Sequence, residues 1–135
     1  MSNWIDKEVT EYKRIQEKKA KEQEMKQQKA LKKRMAQLKK QQDTKINYCK
    51  RQIASLKKKA SNVDKKGREL VKKGDALKRE LNSPSTKPTR VQTIQRMLNQ
   101  YSIRFNQMKS EYNSYMNAIR FQENRIAEIK SQPLM

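Results

Sequence analysis

The chain has 135 residues, of which 33% are hydrophobic and 36% are charged, and its formal net charge is +20. So little apolar material excludes a thick globular core but is enough for a narrow seam between helices. The sequence contains no histidine, one cysteine, no glycine-rich phosphate loop and no paired carboxylates outside charged helix faces. It therefore predicts a protein that is not an enzyme and that holds no metal and no cofactor.

The sequence also bears on the cellular compartment. No apolar run approaches the ~18 residues that a membrane-spanning helix needs, and the N-terminus lacks the apolar segment of a secretory signal. We therefore expect no transmembrane insertion and an intracellular, not secreted, protein that is soluble or bound in an assembly, in the cytoplasm, the nucleus or a particle. The cysteine, Cys49, falls on an apolar register, which favours a small buried thiol over redox or metal chemistry.

Residues 1–45 are predicted to form a charged N-terminal helical arm, because helix is the expected structure from Trp4 until the first proline, Pro84. The apolar residues at 13–30 do not share one face, so this part is either solvated or ordered by a partner. Four apolar residues form a candidate docking site that we call the N-terminal tip: Trp4, Ile5, Val9 and Tyr12. The alternative is that the tip packs back on its own chain.

Residues 46–130 are predicted to form an antiparallel helical hairpin. Core positions recur at strict heptad spacing over 46–81 and again over 91–129, a pattern typical of coiled coils. The predicted fold class is therefore all-α: an antiparallel two-helix coiled-coil hairpin with a long N-terminal helical extension, followed by a tail at 131–135. The same registers could pair between two chains, an alternative that the sequence leaves open.

The turn of the hairpin is predicted at residues 82–89. Pro84 and Pro88 push the residues before them out of the helical region, which ends the first helix. Thr89 and Gln92 have the spacing of a capping box, so the second helix is expected to begin near residue 90.

The two registers differ in side-chain size: small residues occupy the middle of the first and large residues the middle of the second. In the favoured register Leu81 faces Ile94 and Ile46 faces Ile129, although a register one heptad away also packs. The predicted helix–helix seam contains Ala60, Gly67, Gly74, Tyr101, Phe105, Met108, Tyr112 and Tyr115. Because glycine lowers helix propensity, we expect the two glycines to be needed as room for these large side chains, the alternative being that they are hinges.

The positive charge is concentrated in residues 26–73, which hold 18 basic and three acidic side chains. Nine basic residues fall at heptad positions e, f and g, while positions b and c are nearly neutral. These nine are predicted to form a polyanion-binding basic stripe: Lys50, Arg51, Lys57, Lys58, Lys59, Lys65, Lys66, Lys72 and Lys73. Like charges stacked in this way repel one another, and an anionic surface would relieve the repulsion.

These features predict a non-enzymatic structural protein, a basic coiled-coil element of a larger assembly. Its predicted partner is nucleic acid or a nucleic-acid-containing particle, because phosphate neutralisation by lysines tolerates varied geometry. The alternative is a bridging or scaffold protein on an acidic protein lattice, such as a capsid shell or a cytoskeletal filament. Other helical proteins or a second copy are also expected partners, since the second helix has an amide-rich outer face; a small-molecule substrate is not expected.

The segment 105–113, with the sequence FNQMKSEYN, resembles the third helix of the N-terminal three-helix domain of syntaxins. This resemblance implies a trafficking-type helical adaptor. The chain departs from the syntaxin pattern in its basic first helix and carries no recognisable SNARE motif.

Overall fold

The computed structural model describes residues 3–134. Helix α1 spans Asn3–Leu81 and helix α2 spans Pro88–Ser131, and the described residues contain no strand. The predicted all-α class is confirmed, because α2 packs against the second half of α1 as a helical hairpin. Neither helix has a stretch long and apolar enough to cross a membrane.

The chain divides into two compact units. One is the hairpin, Lys45–Ser131, and the other comprises Met1–Thr44 with Gln132–Met135. In the described part of Met1–Thr44, every residue is exposed except Leu38 and Gln42, which are half-buried. Almost all of the burial in the described chain therefore belongs to the hairpin.

The buried residues of the hairpin follow the heptad spacing. All nine lie at the core positions of the two registers: Ile46, Cys49, Ala60, Gly67, Leu70, Leu77, Ile94, Ile119 and Ile129. The other core positions are half-buried, except that Phe105 is 39% exposed. The helices thus share one narrow seam, because a pair of helices can enclose only one line of side chains.

The far end of the seam identifies its register. Ile46, Cys49 and Ile129 form one buried cluster against which Ile126 packs. This is the favoured pairing, since a shift by one heptad would place Ile46 opposite Gln122. The Cys49 thiol is only 1% exposed, so its environment is that of a small core residue.

The expectation that the large side chains need the space left by both glycines is wrong. A Cβ atom on Gly67 would lie 4.0 Å from Cε2 of Phe105, an ordinary van der Waals distance, and one on Gly74 would meet no atom within 4 Å. Both glycines lie inside the continuous helix α1, and neither has a positive φ. The physical reason is that the Phe105 ring lies partly in solvent and does not close over the glycine.

Alanine at either glycine should therefore stabilise the hairpin. We expect Gly67→Ala and Gly74→Ala each to raise the free energy of unfolding by about 1 kcal/mol, because alanine restricts the unfolded chain and favours helix. Urea titration followed by circular dichroism at 222 nm measures the change. A loss of stability in Gly67→Ala would mean that the seam is packed more tightly there than the 4.0 Å separation indicates.

The turn departs from the sequence prediction at the start of α2. The helix begins at Pro88, and the Val91 amide donates to the Lys87 carbonyl over 3.0 Å. Thr89 therefore lies within the first turn, where its own carbonyl accepts from the Thr93 hydroxyl, and the predicted capping box is wrong. Proline suits the first helical position because its φ is already helical and its missing N–H has no partner to lose.

An ion pair joins the two helices across this turn. Arg90 donates from Nε and Nη2 to the two carboxylate oxygens of Glu80, over 2.7 and 3.1 Å. These hydrogen bonds lower the pKa of Glu80 below its usual value. A carboxyl group whose pKa is lower in the folded state binds fewer protons there, so the stability it contributes is present above its unfolded pKa and is lost as pH falls through its folded pKa.

The pH dependence of stability should therefore be weaker in Glu80→Gln than in the natural chain. The expected difference is small because both side chains are more than two-fifths exposed and the pair is screened by salt. Urea midpoints between neutral pH and about pH 3 measure the difference. Glu123→Gln is the matched control, since Glu123 is exposed and forms no ion pair within residues 3–134; an equal effect of both substitutions would contradict the assignment.

Candidate polyanion-binding face

The nine residues of the basic stripe are all exposed on α1. They do not lie on one stripe, however. Successive residues of an α-helix are about 100° apart, so heptad positions e, f and g together span about 200°. Positions b and c lie between them, and positions e and g flank the seam on opposite edges. The basic stripe predicted from the sequence is therefore corrected to three separate rows.

The row at position f is the most regular of the three. It lies on the outer surface of α1, opposite the seam, and consists of five consecutive basic residues at seven-residue intervals. We call these residues the basic row: Arg51, Lys58, Lys65, Lys72 and Arg79, all of them exposed. Neighbouring members are about 10.5 Å apart along the helix, and the row extends about 42 Å.

Arg79 was missed in the sequence analysis although it continues the row. The signal was present, since Arg79 follows Lys72 by seven residues. Of the remaining stripe residues, Lys50 and Lys57 lie at the edge of the seam that carries position e. The other three lie at the opposite edge, at position g: Lys59, Lys66 and Lys73.

The basic row is free of acidic partners in the described part of the chain. The ion pairs among residues 3–134 are Arg68–Asp64, at 3.1 Å, and Arg90–Glu80. Arg79 donates from Nε to the Asp75 carbonyl over 3.4 Å, a long hydrogen bond that leaves its charge unneutralised. Unpaired cations on an exposed face can receive an external anion without first breaking an internal ion pair.

The first two residues of the basic row, Arg51 and Lys58, are flanked by uncharged side chains. Positions b and c beside Arg51 and Lys58 carry small or uncharged side chains: Asn47, Tyr48, Ala54, Ser55, Ser61 and Asn62. Three of the five row residues are lysine, which binds phosphate as a point charge, and its two arginines stand alone at opposite ends of the row. The face is therefore suited to backbone contacts and not to reading a base sequence.

The other predicted site residues lie in two places. The seam residues lie at the core positions where α1 and α2 face each other. On the exposed surface of α2 the Tyr115 hydroxyl donates to the Glu111 carboxylate over 3.0 Å, and this bond raises the pKa of Tyr115. The four residues of the N-terminal tip are between 47% and 64% exposed.

No cluster of three potential metal ligands occurs in the part of the chain that the structure describes. Comparison with models of protein families, with curated proteins and with solved structures yields no match to this chain.

Proposed function

We propose that this protein is a non-enzymatic structural element of a larger assembly, in which the basic row of α1 binds a polyanion while α2 braces α1 from the opposite side. The polyanion we propose is nucleic acid, free or within a particle. The observation that supports this most is the unpaired, exposed basic row on the surface away from the seam.

The position of the row explains why a hairpin suits this role. A polyanion bound on the outer surface of α1 touches none of the seam residues, so binding requires no unpacking. The seam in turn keeps α1 helical and so maintains the intervals of about 10.5 Å between charges. At this interval, similar to the Debye length of about 10 Å at 0.1 M salt, the charges repel one another only weakly yet act together on one extended anion.

The salt dependence of binding tests the proposal. If five row residues neutralise duplex phosphates, log affinity should fall with log salt with a slope of about 4.5, which is roughly a 500-fold loss between 50 and 200 mM salt. Fluorescence anisotropy of a labelled 30-base-pair duplex, titrated with the full chain at several salt concentrations, gives the slope. Two duplexes of unrelated sequence should bind equally.

An absence of binding to duplex and single-stranded nucleic acid at low salt would rule out the nucleic-acid proposal. That outcome would favour the alternative partner, an acidic protein lattice, because regularly spaced charges on a continuous helix also match a surface with repeating acidic groups. A salt slope near 1 would instead mean that about one phosphate is neutralised, which would contradict joint binding by the five residues of the basic row.

A further inference from the structure

An open apolar groove runs between α1 and α2 at the edge of the seam that carries heptad position e. It has a volume of about 490 Å³. Its apolar lining consists of Val63, Gly67, Val71, Phe105, Met108 and Tyr112. A second hollow continues it toward the turn past Gly74, Leu98 and Tyr101, and shares Val71 and Phe105 with the first.

The groove exposes apolar surface that the hairpin itself cannot cover. Val71 is 45% exposed and Phe105 is 39% exposed. Along α2 the lining extends from Leu98 to Tyr112, which is about 21 Å or four helical turns. A hollow of this length between two helices fits a third amphipathic helix, which would bind through apolar residues at intervals of three and four.

The charges at the rim restrict the occupant. The charged residues that line the groove are Asp64, Arg68, Lys72 and Lys109, of which Asp64 and Arg68 are paired with each other. The second hollow adds one charge of each sign, Asp75 and Lys78. The unpaired cations therefore come from both helices, Lys72 from α1 and Lys109 from α2. An occupant with acidic flanks is attracted to this rim, whereas a basic helix is repelled.

The N-terminal tip has the matching properties. Ile5, Val9 and Tyr12 are spaced i, i+4, i+7 in α1, so they share one face, and all three are exposed. Residues 3–12 contain Asp6, Glu8 and Glu11 against one lysine, which makes the segment acidic in a chain that is otherwise strongly basic. It is thus a short amphipathic helix of the charge that the groove requires.

We propose that the N-terminal tip of one molecule binds in the apolar groove of a second molecule. Such a contact joins two different surfaces, so each molecule keeps a free tip or a free groove and assembly can continue head to tail. A symmetric contact of groove on groove would instead bring two basic rims together. The groove and the basic row share Lys72, but the other four residues of the basic row lie outside the groove, so most of the polyanion-binding surface stays free in this contact.

Uncharged substitutions in the full chain test the contact. Val9→Asn removes the central apolar side chain of the tip, and Val71→Asn removes an apolar side chain that both hollows of the groove share. Neither substitution changes the net charge. Each should weaken self-association at least tenfold, measured by sedimentation velocity over a range of concentrations. Met25→Asn and Ile103→Asn are matched controls at positions 59% and 57% exposed, outside tip and groove, and should associate like the natural chain.

Mixing the two variants distinguishes a head-to-tail contact from a symmetric one. Val9→Asn retains its groove and Val71→Asn retains its tip, so an equimolar mixture should form 1:1 dimers that do not grow further. A natural chain that stays monomeric up to about 1 mM, tip and groove variants that match the controls, or a mixture without dimers would each overturn the proposal. Because Val9 and Val71 lie outside the basic row, duplex binding at a single salt concentration should be the same in all four variants. Failure of self-association would thus leave the polyanion proposal unaffected.

Discussion

Neutralising the basic row should nearly abolish the salt-dependent binding of duplex nucleic acid. The variant changes Arg51, Lys58, Lys65, Lys72 and Arg79 to glutamine, a residue with nearly the same helix propensity as lysine and arginine. We expect the slope of log affinity against log salt to fall by about 4 and the affinity at 50 mM salt to fall at least about hundredfold. Anisotropy of the labelled duplex provides both quantities.

A control with the same loss of charge separates the row from general electrostatic attraction. It replaces five exposed basic residues of α2 with glutamine: Arg96, Arg104, Arg120, Arg125 and Lys130. If the row is the binding face, this control keeps most of the slope although its net charge is equally reduced. If both variants lose affinity equally, the chain binds through its total charge and the row has no special role.

The seam was the part of the structure that the sequence predicted best. Every buried residue of the hairpin falls on the heptad spacing because burial in a two-helix pair depends on the angle of each residue around the helix, which the spacing alone determines. Which positions are buried therefore depends little on the identity of the side chains. The register was only partly predictable, since a register one heptad away also packs, and it is the buried cluster of Ile46, Cys49 and Ile129 that identifies it.

The role of the glycines was not predictable in the same way. Whether Gly67 must lack a side chain depends on the separation of the two helices and on the direction of the Phe105 ring. The ring is partly exposed, which leaves the groove open beside Gly67 and makes room for a Cβ atom. Matching small residues with large ones therefore predicted which residues are neighbours but not how closely they pack.

The charged face shows a different kind of error. Heptad positions e, f and g are consecutive in the sequence, which suggests one face, but neighbouring positions are about 100° apart around the helix. Only the row at position f is basic in five consecutive heptads, and it includes Arg79, which is not among the nine residues of the basic stripe. The correction reduces the candidate binding site to five residues that a single extended anion can contact together.

Removing the best-buried branched side chain of the seam should cause the largest loss of stability. Ile94 has no exposed surface and lies near the turn, where the register pairs it with Leu81. Ile94→Ala is expected to lower the free energy of unfolding by about 3 kcal/mol, from lost burial and from the cavity left behind. Small domains are stable by only about 5–15 kcal/mol, so this is a large share of the total.

The matched control is Ile103→Ala, which deletes the same atoms from a side chain of α2 that is 57% exposed. Its effect should stay within about 0.5 kcal/mol. Urea titration followed by circular dichroism measures both variants. In the Val71→Asn background, which removes the proposed contact between tip and groove, the titration also tests whether the helices pair within one chain. An intramolecular hairpin then has a urea midpoint that does not depend on protein concentration, whereas seams formed between chains give a midpoint that rises with concentration. Equal effects of the two substitutions would mean that Ile94 is not enclosed by the seam, and the hairpin packing would then be wrong.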